Sequence, residues 1–441
     1  MVGAELAAAG LEVEACDENV AEVDLSPVDL VGITCHVYNA PRAFALAAHF
    51  RRLRVPVILG GSFPTVAPGL CAAHADSVVV GELEGQAAAL VADARAGRLR
   101  PVYRAAAPPS LARTLAPDLG LLDAGAYLRW NFPLEVTRGC RFACGFCTAA
   151  TLFGPPRVRA LADVERDLAR HDHGLVELID VNFLADAEAF APVLPLLERA
   201  PIPGWMGQTT VADLTADDTL PARLARSRCR AVFVGLETID PAGLRALHKS
   251  WSRPEDFLVV ARRLAEVGIL VQAGIIVGLD GESREGFDRT VDFLERARVQ
   301  SATVTYLHHL PGTRAYQELA DAGRLCSTEL ADYDGNHVTV RPRGLSVPAL
   351  EAEVARFLRR LYTLSSIGRR AAHGGLLRHP TQALHHALLN GALRSYYGGL
   401  LAARDDPARR YRERPPTPGR LESTLADAGA WLLDRLWSGS L

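Results

Sequence analysis

The chain has 441 residues, 49% of them hydrophobic and 22% charged, with a formal net charge of −3. That balance is ordinary for a globular protein of two or three domains and leaves no electrostatic footprint for a nucleic acid or an anionic membrane. No apolar run reaches the ~18 residues of a membrane span, no secretory leader is visible, and eight cysteines, three clustered and five scattered, make no disulfide framework, so a cytoplasmic location is expected.

Residues 1–105 alternate short β-like runs with amphipathic helices. The chain opens in a helix over residues 4–9. Strands are expected over residues 12–16, 28–34, 57–61 and 77–81, with a helix after Pro41 through Phe44 and Leu46. Strand, helix, strand in this rhythm argues a parallel, doubly wound, Rossmann-like α/β domain. The strand that normally begins such a unit is absent, so either the domain is truncated or the true start lies upstream.

Residues 106–133 carry Pro108, Pro109, Pro117 and Pro133 with little periodicity and read as a linker. The rhythm resumes over residues 134–335. Strands are expected over 134–137, 175–180, 204–209, 230–236, 270–277 and 302–307, and helices over 163–169, 222–226, 254–267 and 285–297. Six such units make a partial (β/α)6 TIM barrel, with functional groups at the carboxyl ends of the strands. Residues 336–441 are Arg- and Leu-rich and read as a helical C-terminal region, with a basic, Pro-containing segment near 409–420.

The strongest signal is Cys140, Cys144 and Cys147, spaced C-x3-C-x2-C directly after the first barrel strand. Three thiolates on one tight loop can bind three irons of a 4Fe-4S cubane and leave the fourth open to a small chelating ligand. A structural zinc site would supply paired motifs and four ligands, and no second pair follows. Cys16, Cys35, Cys71, Cys229 and Cys326 read most simply as small core residues.

The loop resembles the motif of the radical S-adenosylmethionine (SAM) superfamily, with Phe146 at the place of the aromatic that flanks adenine. The resemblance implies reductive cleavage of SAM to a 5′-deoxyadenosyl radical, fed by an electron donor such as a flavodoxin, a ferredoxin or a dedicated reductase. It also implies roles for other residues. Glu237, at the end of a strand, matches the ribose contact. Gly274, Ile276 and Gly278 match a GxIxG segment under adenine. Asp180 and Asn182 stand where relatives place groups toward SAM, although the common Gly-Gly-Glu form is missing; simple turn residues are the alternative. Lys249, the only lysine, can pair with the SAM carboxylate or be a solvated helix-end residue. Gln208 is aimed toward cofactor or substrate. Tyr306, His308 and His309 end the sixth strand, where imidazoles can act as acid, base or hydrogen-bond donor.

Gly60–Thr65 and the segment from His74 to Glu84 resemble the cobalamin-binding-type domain that precedes many such barrels. The Asp-x-His-x-x-Gly ligand motif is absent, so cobalamin stays an open cofactor. The best-fitting expectation is hydrogen abstraction from a small hydroxyl-rich substrate followed by dehydration, a lyase reaction like that of the diol dehydratases of aminoglycoside antibiotic biosynthesis. The alternatives are a cobalamin-dependent C-methyltransferase and a non-enzymatic iron-sulfur redox protein.

Overall fold

The computed structural model describes residues 1–112, 114–123, 131–172, 174–373 and 380–405. It falls into two compact units. One comprises Met1–Tyr127, Glu135–Asp167 and Tyr306–Arg341; the other comprises Leu128–Leu134, Leu168–Thr305 and Pro342–Leu441. The basic segment expected near 409–420 lies outside the described residues. No described helix is long and apolar enough to cross a membrane.

The strands, in chain order, are β1 (Val31–Thr34), β2 (Val57–Gly60), β3 (Ser77–Val80), β4 (Val102–Arg104), β5 (Asn131–Leu134), β6 (Thr137–Arg138), β7 (Arg157–Val158), β8 (Leu175–Leu178), β9 (Trp205–Thr209), β10 (Cys229–Glu237), β11 (Leu270–Val277) and β12 (Ser301–Tyr306).

In the first unit β1 to β4 form a parallel sheet in chain order. Val57 and Leu59 of β2 enter one core with Phe50 and Phe63, while Ile58 enters a second with Leu90, Val91 and Tyr103. Helices therefore cover both faces, which is why β2 and β3 read as continuous apolar runs. The helix Ala40–Arg52 buries Ala43, Leu46, Ala47 and Phe50 at helical spacing.

Residues 12–16 are not a strand. Among the described residues nothing pairs with the outer edge of β1, so this alternating run has no ladder to join, and alternation without a partner does not make a strand. Conversely, β4 had no clear pattern: it is three residues long with only Tyr103 buried.

The second unit holds a six-stranded sheet in the order β5-β8-β9-β10-β11-β12, parallel in the pairs β5 with β8, β8 with β9, β9 with β10 and β10 with β11. This is the expected partial barrel, with one displaced strand. The first begins and ends earlier than the hydrophobic run predicts, at Asn131–Leu134. Thr137 and Arg138 instead pair antiparallel with Val158 and Arg157, closing the cysteine loop into a hairpin. Helices Pro254–Glu266 and Arg284–Arg296 match their apolar periodicity; the second is capped by Ser283, whose Oγ accepts from Gly286 N at 3.2 Å. The helix Leu364–His373 is tied to its own unit by buried Arg370, which donates to Gln300 O at 2.8 Å and Asn390 Oδ1 at 2.9 Å.

Candidate cluster and cofactor sites

The three cysteines hang on a loop of the first unit with stiff ends. Gly139 has φ +100°, and a side chain there would collide with the carbonyl of Pro155, so this approach of loop to hairpin requires glycine. Cys140 N donates to Gly154 O at 3.3 Å and Cys147 N to Cys144 O at 3.1 Å, while Ala149 N donates to Cys147 Sγ at 3.4 Å. Cys140 and Cys144 are half-buried and Cys147 is exposed. Among the described residues no three His, Cys, Asp or Glu side chains gather as a single metal ion requires. Three thiolates carried by one loop suit a cluster, in which each would bind a different iron. Of the remaining cysteines, Cys35, Cys71 and Cys229 are the buried core residues expected, whereas Cys16 is exposed and Cys326 half-buried.

Behind the loop lies a buried charged frame that the sequence reading missed. Arg138, two residues before Cys140, donates to both carboxylate oxygens of Glu135 at 2.8 and 2.9 Å, pairs with Glu84 at 2.8 Å, and also bonds Glu82. Arg157 bonds Glu82 and donates to Pro109 O at 2.6 Å and Phe153 O at 2.9 Å. Burial alone would lower the Arg138 pKa, but the hydrogen bond and charge of Glu135, with Glu84 and Glu82, hold it above its ordinary value. Glu82 and Glu84 follow β3 at a sequence distance of more than fifty residues, too far for any local pattern to pair them with Arg138.

In the second unit one face of the barrel sheet stays half-open. Glu177, Met206, Gln208, Phe233 and Gln272 are only partly buried, and register aligns Glu177 with Met206, Gln208 with Phe233 and Phe233 with Gln272. Parallel neighbours in register share a face, so these side chains stand on one face of the sheet. Gln208 stands on it as the alternation implies. Asn131 joins it through Nδ2, which donates to Glu177 Oε2 at 2.7 Å.

At the carboxyl end of β10, Glu237 has φ +63° at a register shift between Gly235 and Glu237. Its Oε1 accepts from Lys249 Nζ at 2.7 Å, and Nζ also donates to Gly235 O at 2.8 Å. The Lys249 ammonium lies 5.3 Å from the Trp251 ring centroid. Lys249 is 3% exposed and Glu237 8%, so the sole lysine is a buried ion-pair partner and not a solvated helix end. A Cβ on Gly274 would stand 2.9 Å from Phe233 Cζ and 3.7 Å from Glu237 Oε2. The Phe233 ring therefore lies directly over Gly274, beside the Glu237 carboxylate, in contact that a larger residue at 274 would prevent. Ile276 and Gly278 continue that strand end, and Gly278 N donates to Glu282 Oε2 at 2.7 Å.

Asp180 and Asn182 are both buried. Asn182 Nδ2 donates to Asp213 Oδ2 at 2.8 Å and its Oδ1 accepts from Thr209 Oγ1 at 2.7 Å. This network joins the ends of β8 and β9.

His308 and His309 belong to the first unit. Tyr306 is buried, with its N donating to Gly335 O at 2.8 Å. His308 lines a cavity of about 220 Å³ with His36, Val37, Tyr38, Ser62, Leu310, Tyr333 and Asp334. The cavity lies beyond the carboxyl ends of β1 and β2, the usual ligand edge of a parallel sheet. Burial holds His36 below its ordinary pKa; His309 is held down by burial and by His308. Cys35 N donates to Gly60 O at 2.7 Å and Phe63 N to Cys35 O at 3.1 Å, which sets the two strand-end loops side by side. The cavity is too small to enclose a corrin, but the imidazoles of His36 and His308 and the Ser62 hydroxyl that line it are donors a corrin at that edge would use.

Residues 134–294 match the family model of the radical SAM superfamily. Over 380 residues the chain is 27% identical to the bacteriochlorophyllide d C-12(1)-methyltransferase of Chlorobaculum tepidum, which takes in 83% of this chain and 82% of that protein. The fold is similar to the radical S-adenosylmethionine methyltransferase TsrM from Kitasatospora setae, solved with cobalamin and a 4Fe-4S cluster (TM-score 0.63, 18% identity, 87% of this chain and 89% of that one). It is also similar to the cobalamin-dependent S-adenosylmethionine radical enzyme OxsB, solved with aqua-cobalamin (TM-score 0.57, 13% identity, 93% and 75%). The chain carries a radical SAM domain and is a radical SAM enzyme, which implies a 4Fe-4S cluster and SAM as its cofactors.

Proposed function

We propose that this protein is a cobalamin-dependent radical SAM methyltransferase that alkylates an unactivated carbon of a small molecule. The observation that carries the reading is the extent of the likeness to a methyltransferase: it spans 83% of the chain, far beyond residues 134–294 of the radical SAM domain. This corrects the expectation of dehydration, because the relative is a methyltransferase and not a lyase, and it leaves antibiotic biosynthesis without support. The cavity at the carboxyl edge of β1 and β2 is consistent with it.

In this reading Cys140, Cys144 and Cys147 hold the cluster and Arg138 fixes the loop that presents them. Phe233, Glu237 and Gly274 pack the adenosine of SAM, and Phe146 belongs to the cluster loop itself. Lys249 holds Glu237 in place. Glu177, Gln208 and Gln272 supply polar contacts along the open face, while Asn182 acts through Asp213 and Thr209. Tyr306, His308 and His309 are candidates for proton handling near the corrin. The cluster and SAM supply the radical chemistry and the corrin, when bound, the methyl group. An external one-electron donor is required, and a reducing cytoplasm suits the cluster.

The test is anaerobic reconstitution with iron, sulfide and hydroxocobalamin, then reaction with SAM deuterated in its methyl group, a reductant and a panel of small molecules. Retained corrin absorbance, release of 5′-deoxyadenosine and S-adenosylhomocysteine, and a deuterated methyl group in product are expected. Cys144→Ala reduces all turnover to background. Dehydrated product without label overturns the reading.

A further inference from the structure

This inference rests on the cobalamin reading and deepens it. The sequence has no Asp-x-His-x-x-Gly motif to supply an axial ligand to cobalt, yet the structure holds a histidine, His36, at the carboxyl edge of the first sheet. We propose that His36 is the protein's nitrogen ligand to the cobalt of a bound corrin, oriented by Ser62.

The argument starts from the sheet. His36 lies two residues beyond β1 and Ser62 two residues beyond β2, so both sit at the carboxyl edge, where parallel sheets present ligands. The imidazole is fixed rather than loose. Its Nδ1 lies 2.7 Å from Ser62 Oγ, its ring is stacked on Tyr38 at 5.7 Å between centroids and 6° between planes, and its backbone N donates to Asn39 Oδ1 at 2.7 Å. A metal-ligating histidine is typically held in this way, by a hydrogen bond on the other ring nitrogen that sets tautomer and direction. With Nδ1 donating to Ser62, Nε2 carries a lone pair. Both residues line the cavity, and Gly61, at φ +105°, lets the two loops approach, since a Cβ there would stand 2.9 Å from Cys35 O. Ser62 thus takes the part that the Asp of the missing motif would play, from a different strand. His308 lines the same cavity, but it hangs from the segment after β12, with Nδ1 3.1 Å from Tyr306 O, and not from the loops of the sheet itself.

Electron paramagnetic resonance of the full chain loaded with cob(II)alamin tests this without reference to turnover. An axial nitrogen splits each parallel cobalt line into a triplet; nitrogen-15 in that position gives a doublet. Protein grown on nitrogen-15 histidine is expected to show the doublet, His36→Ala to lose it while retaining corrin, and Ser62→Ala to weaken it. Should His36→Ala not fold, a doublet retained in labelled His308→Ala and weakened in labelled Ser62→Ala identifies His36 instead. Three results overturn the assignment: retained corrin with no splitting, a triplet unchanged by the label (the corrin's own base), or a doublet that survives in His36→Ala and is lost in His308→Ala. A wild-type chain that retains no corrin removes the cobalamin reading itself, and the ligand with it.

Discussion

The two parallel sheets present their carboxyl ends in opposite ways. In the first unit the strand-end loops are fastened by backbone hydrogen bonds, and His36 and Ser62 line a cavity. Its charged groups sit behind the cysteine loop, where Arg138 meets Glu82, Glu84 and Glu135 together. In the second unit the strand-end groups are already paired with each other, Glu237 with Lys249 and Asn182 with Asp213. Shared charge in the first unit braces a cofactor loop. Paired charge in the second keeps a site neutral and shaped before its ligand arrives. Buried ion pairs contribute little net stability when intact, yet losing one partner is costly, so each arrangement can be broken separately.

Arg138→Met is expected to have the largest effect, because it strips the shared partner from three carboxylates at once. Breaking one buried pair costs about 3–5 kcal/mol, and this variant should reach or exceed the upper end. Lys249→Met strands Glu237 alone and should stay within that range. Denaturant unfolding gives the totals, and hydrogen exchange read by mass spectrometry locates the loss in one unit or the other. Arg138→Met should also lose the visible absorbance of the cluster, whereas Lys249→Met should keep it. Equal losses, or cluster loss in both variants, would erase the distinction.

How far the sequence led differs between the units for a physical reason. Local spacing was enough for β11, whose expected and observed limits coincide at 270 and 277. It was nearly enough for β9, β10 and β12. It failed at residues 12–16, where alternation needed a neighbouring strand, and at Thr137, expected in the first barrel strand but paired with Val158 in a hairpin. The Arg138 frame and the pairing of His36 with Ser62 were out of reach. Their partners lie 56 and 26 residues apart in sequence, and nothing short of the fold brings them together. Lys249 was legible as the sole lysine; that it closes on Glu237 was not.

Glycine substitutions sharpen the contrast at smaller scale. Gly139→Ala forces an L side chain into φ +100° against the Pro155 carbonyl, and should weaken cluster retention. Gly274→Ala places a methyl 2.9 Å from the far edge of the Phe233 ring, which must tilt into the space proposed for adenine. Equilibrium binding of SAM to the reconstituted protein should weaken about tenfold, or about 1.4 kcal/mol, with the cluster intact. Unchanged SAM affinity in Gly274→Ala would move the adenine elsewhere.

The smallest effect belongs to a carboxylate with no cationic partner among the described residues. The buried glutamates of the cysteine-loop frame each face a guanidinium, but Glu282, just beyond β11, is served by backbone N–H groups, Gly278 N at 2.7 Å among them. Burial pushes its pKa up to about 7, against the opposing hydrogen bonds of Gly278 and Leu279. Between its unfolded value of 4.5 and about 7 the folded chain therefore holds a proton that the unfolded chain has released, so stability is fully present on the acid side and falls as pH rises through that window. The full shift corresponds to about 3 kcal/mol; because the side chain is only partly shielded from solvent, an effect of about 1 kcal/mol is expected. Glu282→Gln keeps an acceptor for Gly278 and removes the charge. Its unfolding free energy should exceed that of the wild type by about this amount above pH ~7.5 and match it near pH ~4.5. A constant difference at all pH values would mean that Gln changes packing rather than a titration, and Glu282 would then resemble the partnered carboxylates of the first unit after all.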